Sequence, residues 1–247
     1  MALQETFEKQ GNWLFQKRSF FPLIVVVVGA LWYVLLLLNE KTSINYWWVD
    51  FLYLCVGFLG LGIRIFTVGF TPKGTSGRNT GVGQVAEQLN TSGIYSMVRH
   101  PLYFGNFLMW LAPVLILSDL WFTLFFCAFY WIYYERIMFA EEQFLRKKFG
   151  QEYLDWANKT PAFFPKFSLF KKANLEFSLR NVLKREYNGF FNLVFIMTAL
   201  RIIGFAATMQ QFYLDLPWII IFATSFVIFG TLKILKKFTK VLDVAGR

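Results

Sequence analysis

Six long apolar runs constrain what this chain can fold into more than any other feature of its sequence. Each approaches the roughly 20 residues that an α-helix needs to cross about 30 Å of hydrocarbon. In chain order the runs cover residues 20–38, 47–70, 101–117, 119–139, 190–209 and 213–232. With 56% hydrophobic and 21% aromatic residues, the composition lies outside that of soluble domains. The sequence therefore predicts an all-α, polytopic integral membrane helical bundle with about six transmembrane helices.

The distribution of positive charge predicts how these helices are oriented. Lysine and arginine concentrate in alternate hydrophilic segments, which are residues 1–19, 71–100, 136–189 and 233–247. Such residues favour the cytoplasmic side of membrane proteins. We therefore expect both termini and both long loops to be cytoplasmic. The net charge of +10 is explained in the same way and does not indicate a nucleic-acid partner.

Two arginines and two cysteines lie within the apolar runs. A charge inside a membrane span is costly and usually faces a partner or a cavity. Arg64 is close enough to the predicted cytoplasmic end to extend its charge into the interface, whereas Arg201 is expected to face the bundle interior. Cys55 and Cys127 read as small core residues, and His100 is the only histidine. We therefore predict no metal site.

The third and fourth runs are joined by "LSDL", Leu117 to Leu120, which predicts a tight antiparallel hairpin at the core of the bundle. The hairpin would return Glu141 and Glu142 to the depth of the Arg99-His100-Pro101 corner, where the third helix begins. Proline suits the first turn of a helix. Taken alone, the two glutamates are better explained as a solvated helix end, with Glu142 and Arg146 as an i,i+4 pair.

Together these stretches resemble the superfamily of isoprenylcysteine carboxyl methyltransferases and phospholipid N-methyltransferases. The resemblance covers roughly residues 50–167 and also includes the helical hairpin. The matching positions are Gly93, Tyr95, Arg99, His100, Pro101, Tyr103, Gly105, Glu141, Glu142, Leu145, Phe149, Gly150, Tyr153 and Pro165. "GFLGLG", residues 57–62, instead reads as helix packing through small residues.

This resemblance implies S-adenosyl-L-methionine as the cofactor, bound at the cytoplasmic rim of the membrane. It implies cofactor contacts from Tyr95, His100, Pro101, Leu102, Tyr103, Gly105, Glu141 and Glu142. We expect catalytic cations at Arg64, Arg99 and Arg136, and acceptor-binding cations at Lys73, Arg78 and Arg201. The implied organisation is a cytoplasmic or interfacial segment at 1–19, a methyltransferase core at 20–189, and an additional transmembrane hairpin with a basic tail at 190–247.

The expected acceptor is the phosphate of a membrane lipid. A phosphate monoester is already anionic near neutral pH, and the loop before the motif is basic and rich in Ser, Thr and Gly. The longer chain also resembles bacterial lipid A phosphate methyltransferases, which implies a bacterial inner membrane. Other methyltransferase acceptors stay open, namely the amine of phosphatidylethanolamine and the carboxylate of prenylcysteine. So do an NADPH-dependent sterol-reductase-like enzyme and a transporter.

Overall fold

The computed structural model describes residues 2–18, 20–72, 74 and 84–246, and over these residues it is built from eight α-helices without a strand. Two short 3-10 turns, Ile94–Ser96 and Phe167–Leu169, lie in the loops. The helices are α1 Leu3–Lys17, α2 Phe21–Leu38, α3 Trp47–Gly69, α4 Pro101–Ile116, α5 Leu120–Phe149, α6 Gln151–Ala157, α7 Leu179–Met209 and α8 Leu216–Phe238. The predicted class, a helical membrane protein, is confirmed.

Length and apolarity single out fewer membrane spans than the six runs of the sequence. Among the described helices, α3, α7 and α8 meet both requirements, and α1 with α2 would add a fourth span if that bent pair crosses as one. Helix α4 has 16 residues, about 24 Å. Helix α5 is long, but tyrosines and tryptophans interrupt its apolar half. These two helices lie side by side in the core of the bundle.

The predicted hairpin between α4 and α5 is confirmed. Helix α4 ends at Ile116 and α5 begins at Leu120. Ser118 adopts a left-handed φ of 50° in the turn. The Asp119 carboxylate accepts a hydrogen bond of 2.6 Å from the backbone N–H of Phe122, which caps the start of α5. A turn of three residues sends α5 back along α4, so residues late in α5 reach the level where α4 begins.

Helices α3 and α4 cross at glycines, as the small-residue pattern predicted. A Cβ atom at Gly60 would overlap the carbonyl oxygen of Gly105, so the two backbones touch. Nearby, Gly57 accommodates Leu193 of α7. Close helix crossings of this kind depend on residues without side chains. They bring α3, α4 and α7 together around one core.

Helix α7 begins eleven residues before the apolar run that predicted it. The Ser178 hydroxyl caps its first turn by accepting from the N–H of Asn181, at 3.3 Å. The Asn181 side chain then donates to the Val68 carbonyl of α3, at 2.9 Å. The helix therefore runs without a break from 179 through residues 189 and 190, where the sequence analysis placed its domain boundary. It carries polar residues of the loop region into the bundle.

The N-terminal segment forms a helix that packs along α5. Gly11 faces the backbone of Arg136, where a Cβ atom would overlap the carbonyl oxygen. The Phe7 ring meets Phe139 edge-on, with centroids 5.9 Å apart. The apolar face of α1 is thus covered by α5, and its end reaches the cavity described below.

Candidate active site

The Arg99-His100 corner is fixed by backbone hydrogen bonds to the loop after α6. The N–H of Arg99 donates to the Pro161 carbonyl at 2.9 Å, and the N–H of His100 donates to Ala162 at 3.1 Å. Pro101 occupies the first turn of α4 as predicted, and His100 directly precedes that helix without a capping hydrogen bond from its side chain. The corner therefore cannot swing freely, and its side chains have a defined direction.

His100 contacts both glutamates that the hairpin returns to it. Its Nε2 lies 2.9 Å from Glu142 Oε1, and its Nδ1 lies 3.6 Å from Glu141 Oε2. The hydroxyl of Tyr103 donates to Glu141 at 2.9 Å. The predicted neighbourhood of the two motifs is confirmed. This geometry places two carboxylates on one wall with an imidazole and a phenol between them and the start of α4.

The electrostatics of this cluster favour the charged forms. Burial alone lowers the pKa of the His100 imidazole, but hydrogen bonds to Glu141 and Glu142 and their charges outweigh it, so the pKa lies above its ordinary 6.5. Burial likewise raises the pKa of both carboxyls, yet contact with His100 outweighs it and leaves each pKa below the ordinary 4.5. The imidazolium and the carboxylates stabilise one another.

Arg99 extends the cluster on its other side. Its Nε lies 3.3 Å from Glu142 Oε1, and its Nη1 donates to the Ala157 carbonyl at 3.4 Å. Trp156, from the same short helix α6, donates its indole N–H to the Tyr95 carbonyl at 3.0 Å. Helix α6 and the 3-10 turn of Tyr95 thus form a wall next to the arginine.

These groups line a cavity of about 330 Å³, which is within the range of sites for small molecules. Of the predicted cofactor contacts, all but Gly105 line it, and so do Arg64 and Arg99. The rest of the wall mixes aromatic, amide and basic side chains; among them are Phe15, Arg18, Asn90, Asn106, Trp110, Tyr134, Phe144, Tyr153, Trp156 and Arg185. The cavity is therefore rich in hydrogen-bonding groups and carries several cations.

Arg64 faces this cavity with its charge compensated by a residue that the sequence reasoning missed. The Glu186 carboxylate accepts from Arg64 Nε at 2.7 Å and from Nη2 at 2.9 Å. The Asn106 amide oxygen accepts from Nη1 at 2.6 Å. Glu186 lay in a segment interpreted as loop. The available signal was Ser178, a helix-capping residue ahead of the stretch that became the first turns of α7.

Three predicted site residues lie elsewhere. Gly105 sits at the crossing of α3 and α4, where a Cβ atom would approach Arg64 Cγ to 2.7 Å. Arg136 lies outside the cavity, with its guanidinium 3.5 Å from the centre of the Phe7 ring and 3.0 Å from Glu135. Helix α1 covers that part of α5. We therefore withdraw the cofactor role for Gly105 and the catalytic role for Arg136.

Arg201 is also removed from the candidate site, because its charge is paired with two carboxylates at the far end of the bundle. It pairs with Asp50 Oδ2 and Asp215 Oδ2, each at 2.5 Å, and its side chain is 2% exposed. Its expected position inside the bundle is confirmed, whereas its prediction as an acceptor-binding residue disagrees with this burial. Lys73 and Arg78 lie outside the described residues.

The combination of fold and site defines a helical membrane protein with a polar pocket at one end of its core, and comparison with known proteins narrows its class. Residues 52–152 match the family model for phospholipid methyltransferases. This segment includes most of α3, all of α4 and α5, and the His100 cluster. The methyltransferase superfamily is therefore supported for that part of the chain.

Three relatives illustrate the range of similar proteins. The cobalt-zinc-cadmium resistance protein CzcN of Cupriavidus metallidurans is 35% identical over 50% of this chain and 54% of its own length. The protein-S-isoprenylcysteine O-methyltransferase of Schizosaccharomyces pombe is 31% identical over 44% and 48%. A probable protein-S-isoprenylcysteine O-methyltransferase of Oryza sativa subsp. indica is 32% identical over 49% and 63%.

The chain thus spans about half the length of the curated relatives it matches. No solved structure matches it significantly. Among the described residues, no group of three or more His, Cys, Asp or Glu could hold a metal ion.

Proposed function

We propose that this protein transfers a methyl group from S-adenosyl-L-methionine to an anionic oxygen of a membrane-anchored acceptor. The observation that carries the proposal is the cavity in which His100, Glu141 and Glu142 lie on one wall and arginines on others. The match of residues 52–152 to phospholipid methyltransferases supports methyl transfer as the reaction. We place the cavity at the cytoplasmic face, with both termini in the cytoplasm, from the distribution of lysine and arginine.

The polar and apolar groups of the cavity fit this cofactor. Carboxylates can accept hydrogen bonds from the hydroxyls of a ribose or from an ammonium group, and Glu141 and Glu142 would do so here. An arginine such as Arg99 can hold a carboxylate. Tyr95, Pro101, Leu102 and Tyr103 supply apolar and aromatic surface beside these charges. When bound, the cofactor would supply a methyl group on a positively charged sulfur.

The chemistry of the acceptor decides which protein groups are needed. In an in-line displacement the acceptor oxygen bonds to the methyl carbon while the bond from carbon to sulfur breaks, and the protein mainly aligns the two molecules. An anionic oxygen loses no proton in this step, so it needs cations rather than a base. Arg18, Arg64, Arg99 and Arg185 line the cavity. An amine acceptor would instead need a free base, and both glutamates contact His100.

Among anionic acceptors we propose the phosphate of a membrane lipid, specifically that of lipid A in a bacterial inner membrane. The second phosphate ionisation has a pKa near 6, so a monoester is largely doubly charged at neutral pH. The carboxylate of a prenylated cysteine is the second candidate, because relatives named protein-S-isoprenylcysteine O-methyltransferases align with this chain. Both acceptors present an anionic oxygen, and both require the same cationic wall.

A direct test offers the purified full chain three acceptors in detergent micelles with labelled cofactor. These are lipid A, a prenylated cysteine and phosphatidylethanolamine, and the readout is a mass gain of one methyl group. Product from lipid A supports the proposal, and product from the prenylcysteine alone transfers it to the second candidate. Product from phosphatidylethanolamine alone would refute the anionic-oxygen mechanism.

Cofactor binding is tested separately by calorimetric titration with S-adenosylhomocysteine, which remains after methyl transfer. Glu142→Gln should weaken binding about tenfold or more, since hydrogen bonds to charged groups contribute roughly 1.5–3 kcal/mol. Asp243→Asn is a matched control, because it removes an exposed carboxylate that pairs with Lys184 and does not line the cavity. Equal affinity in both variants would contradict the proposed cofactor site.

A further inference from the structure

Arg64 is held on two sides by residues of different helices. Glu186 of α7 binds its Nε and Nη2, and Asn106 of α4 binds its Nη1. The bidentate contact with the carboxylate is the geometry that fixes a guanidinium most firmly. The orientation of Arg64 therefore depends on α4 and α7 as well as on its own helix.

The packing around the arginine leaves a defined path for its side chain. Gly105 leaves room for the aliphatic part of the Arg64 side chain, because a Cβ atom at this position would approach Arg64 Cγ to 2.7 Å. Glu186 is almost completely buried, with 5% of its side chain exposed, whereas Arg64 retains 21%. The carboxylate thus lies behind the guanidinium, and the guanidinium lies at the cavity wall.

A count of donors shows what Arg64 can still offer. A guanidinium has five N–H groups, and Glu186 and Asn106 engage three of them. Within the part of the chain that the structure describes, Arg64 makes no other hydrogen bond. One N–H therefore remains on each terminal nitrogen. Two such donors match two oxygens of a phosphate or a carboxylate.

We infer that Glu186 is a positioning residue, which with Asn106 holds Arg64 so that its terminal N–H groups meet the anionic oxygen of the acceptor. This inference rests on the proposed function and deepens it. Glu186 lies outside the segment that matches the methyltransferase family. Helix α7 thereby becomes part of the acceptor site, although it follows that segment in the chain.

Removing the charge of Glu186 distinguishes a role in positioning Arg64 from a role in attracting the anionic acceptor. Its removal raises the net charge beside the cavity by one, which by itself favours anion binding. Its removal also frees the guanidinium to rotate, which disfavours the aligned geometry that displacement requires. Loss of positioning therefore lowers turnover without weakening acceptor binding. If the ion pair served stability alone, its loss would change neither turnover nor acceptor binding in the folded fraction.

The experiment compares the full chain with Glu186→Gln, Glu186→Asp, Arg64→Lys and the control Asp243→Asn. Steady-state kinetics are measured with whichever acceptor the wild type methylates, and rates are normalised to the fraction that binds S-adenosylhomocysteine. For Glu186→Gln we expect kcat to fall about tenfold or more while KM stays within about twofold or falls. Glu186→Asp should recover part of kcat, and Asp243→Asn should match wild type.

A second arm needs no turnover. Binding of phosphatidic acid, a lipid phosphate monoester, is measured with S-adenosylhomocysteine present. Arg64→Lys should weaken it about tenfold, because lysine lacks the planar fork, and Glu186→Gln should not weaken it. An unchanged kcat in Glu186→Gln, or a loss confined to KM, would overturn the inference. If wild type methylates no acceptor, the proposed function fails, and unaltered phosphatidic acid binding by Arg64→Lys would then overturn the inference separately.

Discussion

Replacing Arg201 by methionine removes the cation that pairs with two aspartates at the end of the bundle opposite the cavity. Arg201 contacts Asp50 and Asp215, each at 2.5 Å, and also donates to the Asn45 carbonyl at 3.1 Å. The Asp50 side chain is 2% exposed, so water cannot replace the lost partner. Asp50 keeps one contact, a hydrogen bond of 2.9 Å from the Asn45 amide.

The magnitude follows from this burial. Breaking a buried ion pair by removing one partner costs about 3–5 kcal/mol, because the other charge is left without compensation. Asp215 is 19% exposed and regains some hydration, so Asp50 accounts for most of the loss. Lys184→Met is a matched control on the same helix, since its partner Asp243 is 57% exposed. An exposed pair of this kind contributes about 0–1 kcal/mol.

The assay is reversible unfolding in mixed micelles, followed by tryptophan fluorescence, with both variants prepared in parallel. We expect Arg201→Met to lose about 3–5 kcal/mol of unfolding free energy, and Lys184→Met to lose less than about 1. Affinity for S-adenosylhomocysteine, expressed per folded molecule, should stay at the wild-type level. A variant that kept its stability but lost acceptor turnover would refute this reasoning and restore Arg201 as an acceptor-binding residue.

The cavity and its supporting helices yield three further predictions. His100→Gln should weaken S-adenosylhomocysteine binding about tenfold or more in calorimetry, because Glu141 and Glu142 lose a charged partner. The raised pKa of His100 means that its contribution to stability is complete below pH 6.5 and is lost as pH rises through the raised value. Wild-type unfolding free energy should therefore decline in the alkaline direction more steeply than that of His100→Gln. Gly60→Val should cost about 1–3 kcal/mol in the same unfolding assay, because its side chain would overlap Gly105; equal stability would contradict the close crossing.

The cluster of His100 with the two glutamates could be predicted because local patterns determine it. A turn of three residues forces α5 to return along α4, so Glu141 and Glu142 must approach His100 whatever the rest of the bundle does. Proline at the first helical position placed His100 at the boundary between loop and helix. Short-range geometry of this kind needs no knowledge of how distant helices pack.

The ion pairs between distant parts of the chain could not be predicted in the same way. Glu186 and Arg64 are 122 positions apart, and Arg201 and Asp50 are 151 apart. Nothing in the spacing of these residues identifies them as partners, because only the packing of α3 against α7 joins them. Arg136 illustrates the opposite error, since its position near the glutamates in sequence suggested a role that the covering helix α1 excludes.

Some residues that line the cavity lie inside the segment that matches the methyltransferase family, and others lie outside it. This difference bears on how an acceptor is selected. The His100 cluster lies within residues 52–152, whereas Phe15, Arg18 and Arg185 line the cavity from outside that segment. Relatives that align with about half of this chain carry names as different as metal resistance proteins and isoprenylcysteine methyltransferases. A shared segment cannot by itself distinguish acceptors that differ among its members. For the proposed function, the residues that discriminate between a lipid phosphate and another anionic oxygen are therefore to be sought on α1, at the start of α2, on α6 and on α7.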